Sequence, residues 1–157
     1  MLNNDSQKKI LLLDNDKASI AAEQKALEKF GYQVLFINHA EKVTKTIEMI
    51  SDIDLILIDV NFGMGFEAVK TAEKILKNNT VALIFMVSPD KVDDIAKMEG
   101  ILSFGYYVKN SCETLLKATI TTALHHFYSK SNKEQALIRL EKELSIKDDV
   151  INSSINA

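Results

Sequence analysis

Short, nearly unbroken apolar runs alternate along this chain with longer stretches in which apolar residues recur every three or four positions. The first pattern marks strands buried on both faces, as in a parallel sheet; the second marks amphipathic helices. Residues 10–13, 34–37, 53–59, 81–87 and 104–108 read as five strands. Between the first two, Ile20, Leu27 and Phe30 stripe a helix that Asp16 or a neighbour can cap and that Gly31 can stop. Val43, Ile47 and Ile50 stripe the second helix, and Val69, Ala72 and Leu76 the third, which ends at Asn78-Asn79. A short helix over about 91–98, with Val92, Ile95 and Ala96, leads to Gly100 and the fifth strand. Ser111 can cap the last helix, whose stripe is Leu116, Ile120, Ala123 and Phe127.

Strands and helices of these lengths in strict alternation imply right-handed crossovers and a doubly wound α/β domain. The expected architecture is a flavodoxin-like five-stranded parallel sheet of order 2-1-3-4-5. The helical pattern continues past Phe127 through polar residues 129–135 that contain neither Pro nor Gly. Leu137, Leu140, Leu144 and Ile151 then fall on a and d positions, with Lys147 interrupting a d position. We therefore expect a domain over 8–130 and a helical segment over 131–157, a short coiled coil by its pattern although it has fewer than the roughly three heptads usually wanted.

At 157 residues, 46% hydrophobic and 26% charged, the chain suits one globular domain with extra length. A net charge of −3 without a Lys/Arg cluster argues against nucleic acid as a partner. The single cysteine, Cys112, excludes an internal disulfide framework and fits a reducing compartment. The polar start, Met1 to Ser6, and the few apolar residues after Lys8-Lys9 are too little for a signal sequence or membrane span. A cytoplasmic location without membrane contact is expected.

The chemistry gathers at the strand ends. The first strand runs into Asp14-Asn15-Asp16, the third ends at Asp59, the fourth at Ser88 and the fifth at Lys109. In an open α/β sheet the carboxyl edge is where ligands bind. Two adjacent carboxylates repel, and a bound cation relieves them; oxygen ligands at a solvent-open edge favour Mg²⁺. With Ser88 as a hydrogen-bond donor and Lys109 as a point charge, such an edge could hold a phosphoryl group on Asp59. Singly, each of these residues has a plainer use as a cap, turn or solvated side chain; their value is collective.

The motifs "ILLLDND", "DLILIDV", "LIFMVS" and "GYYVK" resemble, in order and spacing, the receiver domain of two-component response regulators, over about 8–130. That resemblance implies Asp59 as phosphoacceptor, with Ser88 and Lys109 as the hydroxyl and lysine that act on the phosphoryl group. It implies Mg²⁺ held by Asp14, Asn15, Asp59 and the backbone carbonyl of Asn61, and Ser88 and Tyr106 as switch residues. The implied partner is a histidine kinase or phosphotransfer protein, with a homodimer through the C-terminal helix. "GYYVKNSCETLL" and the Gly63-Met64-Gly65 loop look like receivers attached to sensor histidine kinases and PAS-domain proteins, in which a helix like 119–144 links to the next domain. By that analogy the chain may be read as part of a longer signalling protein.

Three departures from the pattern matter. Asn15 stands at the second acidic position, keeping an oxygen but losing a charge, and Asp16 could compensate if it did not serve the next helix. Pro89 follows the hydroxyl where a small residue is usual. Lys109 is followed by Asn110 instead of proline, so no cis peptide is expected there. An alternative therefore stays open: a receiver-like module that dimerises without phosphorylation. An aspartyl-nucleophile phosphatase would want an Asp two residues after Asp59, where Asn61 stands; a flavin binder would want a Ser/Thr/Gly-rich loop after the first strand, which is absent. Tyr106 and Tyr107 alternate on a strand, so one is expected in the core. His125-His126 cannot share a helix face and read as solvated or interface residues, and Cys112 has no base near it in sequence.

Overall fold

A computed structural model describes residues 7–64, 67–98 and 105–155. The five strands are β1 (Lys9–Leu13), β2 (Gln33–Ile37), β3 (Leu55–Asp59), β4 (Ala82–Val87) and β5 (Tyr106–Val108), all parallel, in the order β2-β1-β3-β4-β5. This is the expected flavodoxin-like order, with four helices, α1 (Lys17–Lys29), α2 (Val43–Met49), α3 (Glu67–Asn78) and α4 (Glu113–Ile155), between and after the strands. Gly65, Gly100 and Phe104 lie outside the described residues.

Alternation along the strands sends side chains to two apolar layers. Leu11, Leu13, Ile56, Ile58, Leu83 and Phe85 join one layer with Ala68, Ala72 and Ile75 of α3. Ile10, Leu12, Leu55, Leu57, Ile84 and Met86 point the other way, and all are buried. The buried face of α3 thus centres on its alanines, which allow close approach to the sheet, while Val69 and Leu76 flank it half-buried.

Local chemistry explains the helix ends. Asp16 caps α1 by accepting from Ala18 N at 3.0 Å. At the other end Gly31, with φ +90°, lets Gly31 N reach Glu28 O at 2.9 Å and Tyr32 N reach Leu27 O at 3.2 Å, a Schellman closure. The expected helix after β4 is instead 3₁₀ over Pro89–Met98, broken by a kink at Lys91. Val92 and Ile95 are three apart, which suits a threefold turn, and Val and Asp are weak α-formers. Ser111 does not cap α4: its Oγ donates to Val108 O at 2.6 Å, and the Cys112 carbonyl accepts from Leu115 and Leu116.

The chain divides into two compact units, Met1–Leu124 and His125–Ala157. In the first unit α4 buries Leu116, Ile120, Ala123 and Leu124. In the second, all helical over its described residues, Leu137, Leu140, Leu144, Ile151 and Ile155 are each more than half exposed. No helix among the described residues is long and apolar enough to cross a membrane.

Candidate functional site

Register assembles the site. Leu13 pairs with Ile58, so the next residues, Asp14 and Asp59, leave adjacent strands side by side. Val87 pairs with Val108, which brings Ser88 and Lys109 out next to each other, and Lys109 N donates to Val87 O at 2.8 Å. Asp14 and Asp59 are each only 3% exposed and Lys109 9%.

Lys109 bridges the two carboxylates. Its Nζ donates to Asp14 Oδ2 at 2.6 Å, pairs with Asp59 Oδ2, and reaches Ser19 Oγ of α1 at 2.8 Å. Burial works to lower the lysine's pKa, but hydrogen bonds to Asp14 and Asp59 and the charges of Asp59 and Glu23 outweigh it and hold it above its usual range. The ammonium is therefore the cation that bridges the acidic pair and offsets one of its two charges.

The remaining carboxylate oxygens tie down the loops. Asp14 Oδ1 accepts from Asp16 N at 2.9 Å, and Asp59 Oδ1 from Asn61 N at 2.6 Å. Asn15 does not turn toward the pair: its Nδ2 donates to the carbonyls of Asn61 at 3.1 Å and Gly63 at 3.2 Å. Its Oδ1 accepts from Gly63 N at 3.4 Å. Gly63 has φ +79°, and a Cβ there would run into the Glu67 side chain, which accepts from Met64 N at 2.7 Å.

Could these residues hold a divalent cation? The two buried carboxylates already embrace a positive charge, and Asn61, whose N–H donates to Asp59 Oδ1, offers a main-chain carbonyl in the adjoining loop, now accepting from Asn15. Mg²⁺ takes one or two carboxylates and fills its shell with water, so the donor set fits. Asp16 is committed to capping α1, and Asn15 to its clasp on the loop. Among the described residues no group of three His, Cys, Asp or Glu side chains is placed for a metal, so the fit rests on the pair and main-chain oxygen.

Ser88 is half-buried at the end of β4, its carbonyl accepting from Lys91 N at 2.9 Å. Tyr106 is half-buried and stacks on Phe85, ring centroids 6.1 Å apart. Tyr107 is the buried tyrosine of the two. Asn110 takes φ +62°, turning the chain from β5 towards α4, and no peptide bond among the described residues is cis. Cys112, His125 and His126 are exposed.

Sequence reasoning missed Glu23. It is buried on α1, and its Oε2 has no hydrogen-bond partner. Burial pushes its carboxyl up to about 7; Lys109 pulls it down, while Asp14, Asp59 and Asp16 add to the rise. The signal was present, since Glu23 falls between Ile20 and Leu27 on the buried stripe.

No protein-family model matches the chain, and no curated protein does. Solved structures do. The N-terminal domain of a response regulator/sensory box/GGDEF three-domain protein from Carboxydothermus hydrogenoformans superposes with a TM-score of 0.71 at 25% identity, covering 79% of this chain and 99% of that one. A CheY-like response regulator receiver domain protein from Methanospirillum hungatei JF-1 gives 0.69 at 22% identity, covering 80% and 99%. A yeast Spc42 trimeric coiled coil fused to another structure gives 0.75 at 23% identity, covering 93% and 97%. The chain has the fold of response-regulator receiver domains.

Proposed function

We propose, from the receiver fold and its strand-edge site, that this chain accepts a phosphoryl group on Asp59 from a histidine kinase or phosphotransfer protein, with Mg²⁺ as cofactor. The observation that carries this reading is the pair of buried carboxylates, Asp14 and Asp59, bridged by Lys109 at the carboxyl edge of the sheet. A buried acidic pair that costs stability without a cation is poor design for a scaffold and good design for a site that exchanges cations.

Asp59 acts as the nucleophile. Its carboxylate oxygen forms the new bond to phosphorus while the bond from phosphorus to the donor imidazole nitrogen breaks, the electron pair leaving with the imidazole. Asp14, Asp59 and the Asn61 carbonyl would hold Mg²⁺, which would supply neutralising charge for the phosphoryl oxygens. Lys109 adds a point charge and Ser88 a hydroxyl one strand away. Movement of Ser88 towards the phosphoryl group would favour a second packing of the β4 end and of Tyr106, which now rests on Phe85.

The helical segment is the output on this reading. Leu137, Leu140, Leu144, Ile151 and Ile155 fall within a narrow stripe at 3.6 residues per turn, and all are exposed. A second copy offers the same stripe, so a parallel homodimer buries both. The similarity to a fusion with a trimeric coiled coil supports self-association through this helix without favouring two copies over three. By likeness to the Carboxydothermus domain, the helix would also link the receiver to a signalling partner within a larger assembly. On this reading the site is reached from the cytoplasm, where it would meet its phosphodonor.

The test is Mg²⁺-dependent capture of beryllofluoride, a phosphoryl mimic, followed by fluorine NMR on the full chain. A bound signal present in the wild type and absent from Asp59→Asn is expected. No signal at millimolar Mg²⁺ refutes the phosphoryl-accepting function.

A further inference from the structure

Four polar side chains are buried among the described residues: Asp14, Asp59, Lys109 and Glu23. The first three form one ionic cluster; Glu23 plays no part in the reading above, and its Oε2 is left without a partner. A buried carboxylate so placed costs stability, which makes its position informative.

Glu23 lies one helical turn beyond Ser19, so the two share a face of α1. Ser19 Oγ already accepts from Lys109 Nζ at 2.8 Å. Ser19 and Glu23 line a cavity of about 160 Å³ with Tyr107, Asn110, Ser111 and Leu116. Lys109 directly follows β5, two residues after Tyr107, so the open space lies on the side of the strand from which the lysine departs.

Lys109 holds the Oδ2 atoms of Asp14 and Asp59, while their Oδ1 atoms accept from backbone N–H groups, so a divalent cation that took those Oδ2 atoms would displace the ammonium from both. A buried ammonium cannot be left uncompensated, and before phosphoryl transfer no phosphoryl oxygen is there to receive it. We propose that Glu23 is a positioning residue that receives the Lys109 ammonium when a divalent cation occupies Asp14 and Asp59, the side chain pivoting past Ser19 into the cavity. The proposal rests on the strand-edge site being the metal-dependent phosphoryl site. Glu23 thereby favours metal entry and keeps the lysine charged and close for the phosphoryl group.

Calorimetric Mg²⁺ titration of the full chain tests this, with Glu23→Gln and with Glu23→Leu, which fills the same space with apolar atoms. Each variant is expected to bind Mg²⁺ about tenfold more weakly, the equivalent of one lost charge-assisted contact. Each should also melt, without metal, at the wild-type temperature or above, a combination that a merely structural glutamate would not give. Wild-type affinity in both variants overturns the inference and leaves the phosphoryl site standing; no Mg²⁺ binding by the wild type overturns both. If neither variant folds, a crystal structure of the Mg²⁺-loaded wild type decides: Lys109 Nζ within hydrogen-bond distance of Glu23 supports the inference, and Lys109 on Asp14 or in solvent overturns it.

Discussion

Asn15 Nδ2 donates to the main-chain carbonyl of Asn61 at 3.1 Å, joining the loop after β1 to the loop after β3. A neutral amide thus supplies cohesion where a carboxylate would supply charge. The same oxygen of Asn61 is one of those that would face a metal, so the clasp and the cation compete for it.

Asn15→Asp shifts that competition. The donated bonds to Asn61 and Gly63 are lost and a third negative charge joins Asp14 and Asp59. Mg²⁺ binding should tighten by about tenfold or more, while the metal-free protein loses roughly 1–2 kcal/mol. Calorimetric titration and metal-free melting check the two signs; looser Mg²⁺ binding would contradict the assignment of this edge as the cation site.

Lys109→Ala should expose what the bridge contributes. Removing one member of a buried ionic cluster typically costs about 3–5 kcal/mol, and here two buried carboxylates lose their counter-charge. Urea unfolding in chelator should show that loss. Millimolar Mg²⁺ should restore about 2–3 kcal/mol if it binds the variant at about 100 times its Kd; no recovery would mean that the pair cannot hold the ion.

Glu23 makes stability depend on pH. Its folded pKa, about 7, lies above the ordinary 4.5, so the folded protein keeps a proton that the unfolded chain has released. Its contribution is therefore most favourable below pH 4.5 and declines as pH rises to about 7, flattening beyond. At about 1.36 kcal/mol per unit the ceiling is on the order of 3 kcal/mol. Urea midpoints of wild type and Glu23→Gln at pH 5 and 8 should separate mainly at pH 8, with the variant the more stable.

Charge on the exposed stripe tests the output helix. Leu140→Lys with Leu144→Lys places two like charges where the seam would close. Sedimentation should show a dimer for the wild type and a monomer for the double variant, while beryllofluoride capture at Asp59 persists. A wild-type monomer at all concentrations would remove the helix from self-association.

The sheet was readable from sequence because each strand is an apolar run with a polar residue at its end, and order follows from connection rules alone. Asp14, Asp59 and Lys109 followed, since strand ends fix where they emerge. Glu23 was not found because a helix face is read by its apolar members, and a single charged residue within the stripe looks like an error of phase. The direction of the Asn15 amide was equally hidden: spacing tells where a side chain starts, not which of its two polar atoms faces a loop. The segment after β4 reads from sequence as a short helix without its type, because Val92 and Ile95 fit a three-residue repeat as well as a 3.6-residue one; the structure makes it 3₁₀.

Lys109 also separates two properties that many cation sites combine. Proteins whose acidic clusters are relieved only by a metal fold when the metal arrives and unravel when it is stripped. Here the chain supplies a positive charge of its own from the residue after β5, so a newly made molecule can mature and persist in chelator, and under the proposed function occupancy by an ion would report on signalling conditions instead of deciding whether there is a folded protein at all.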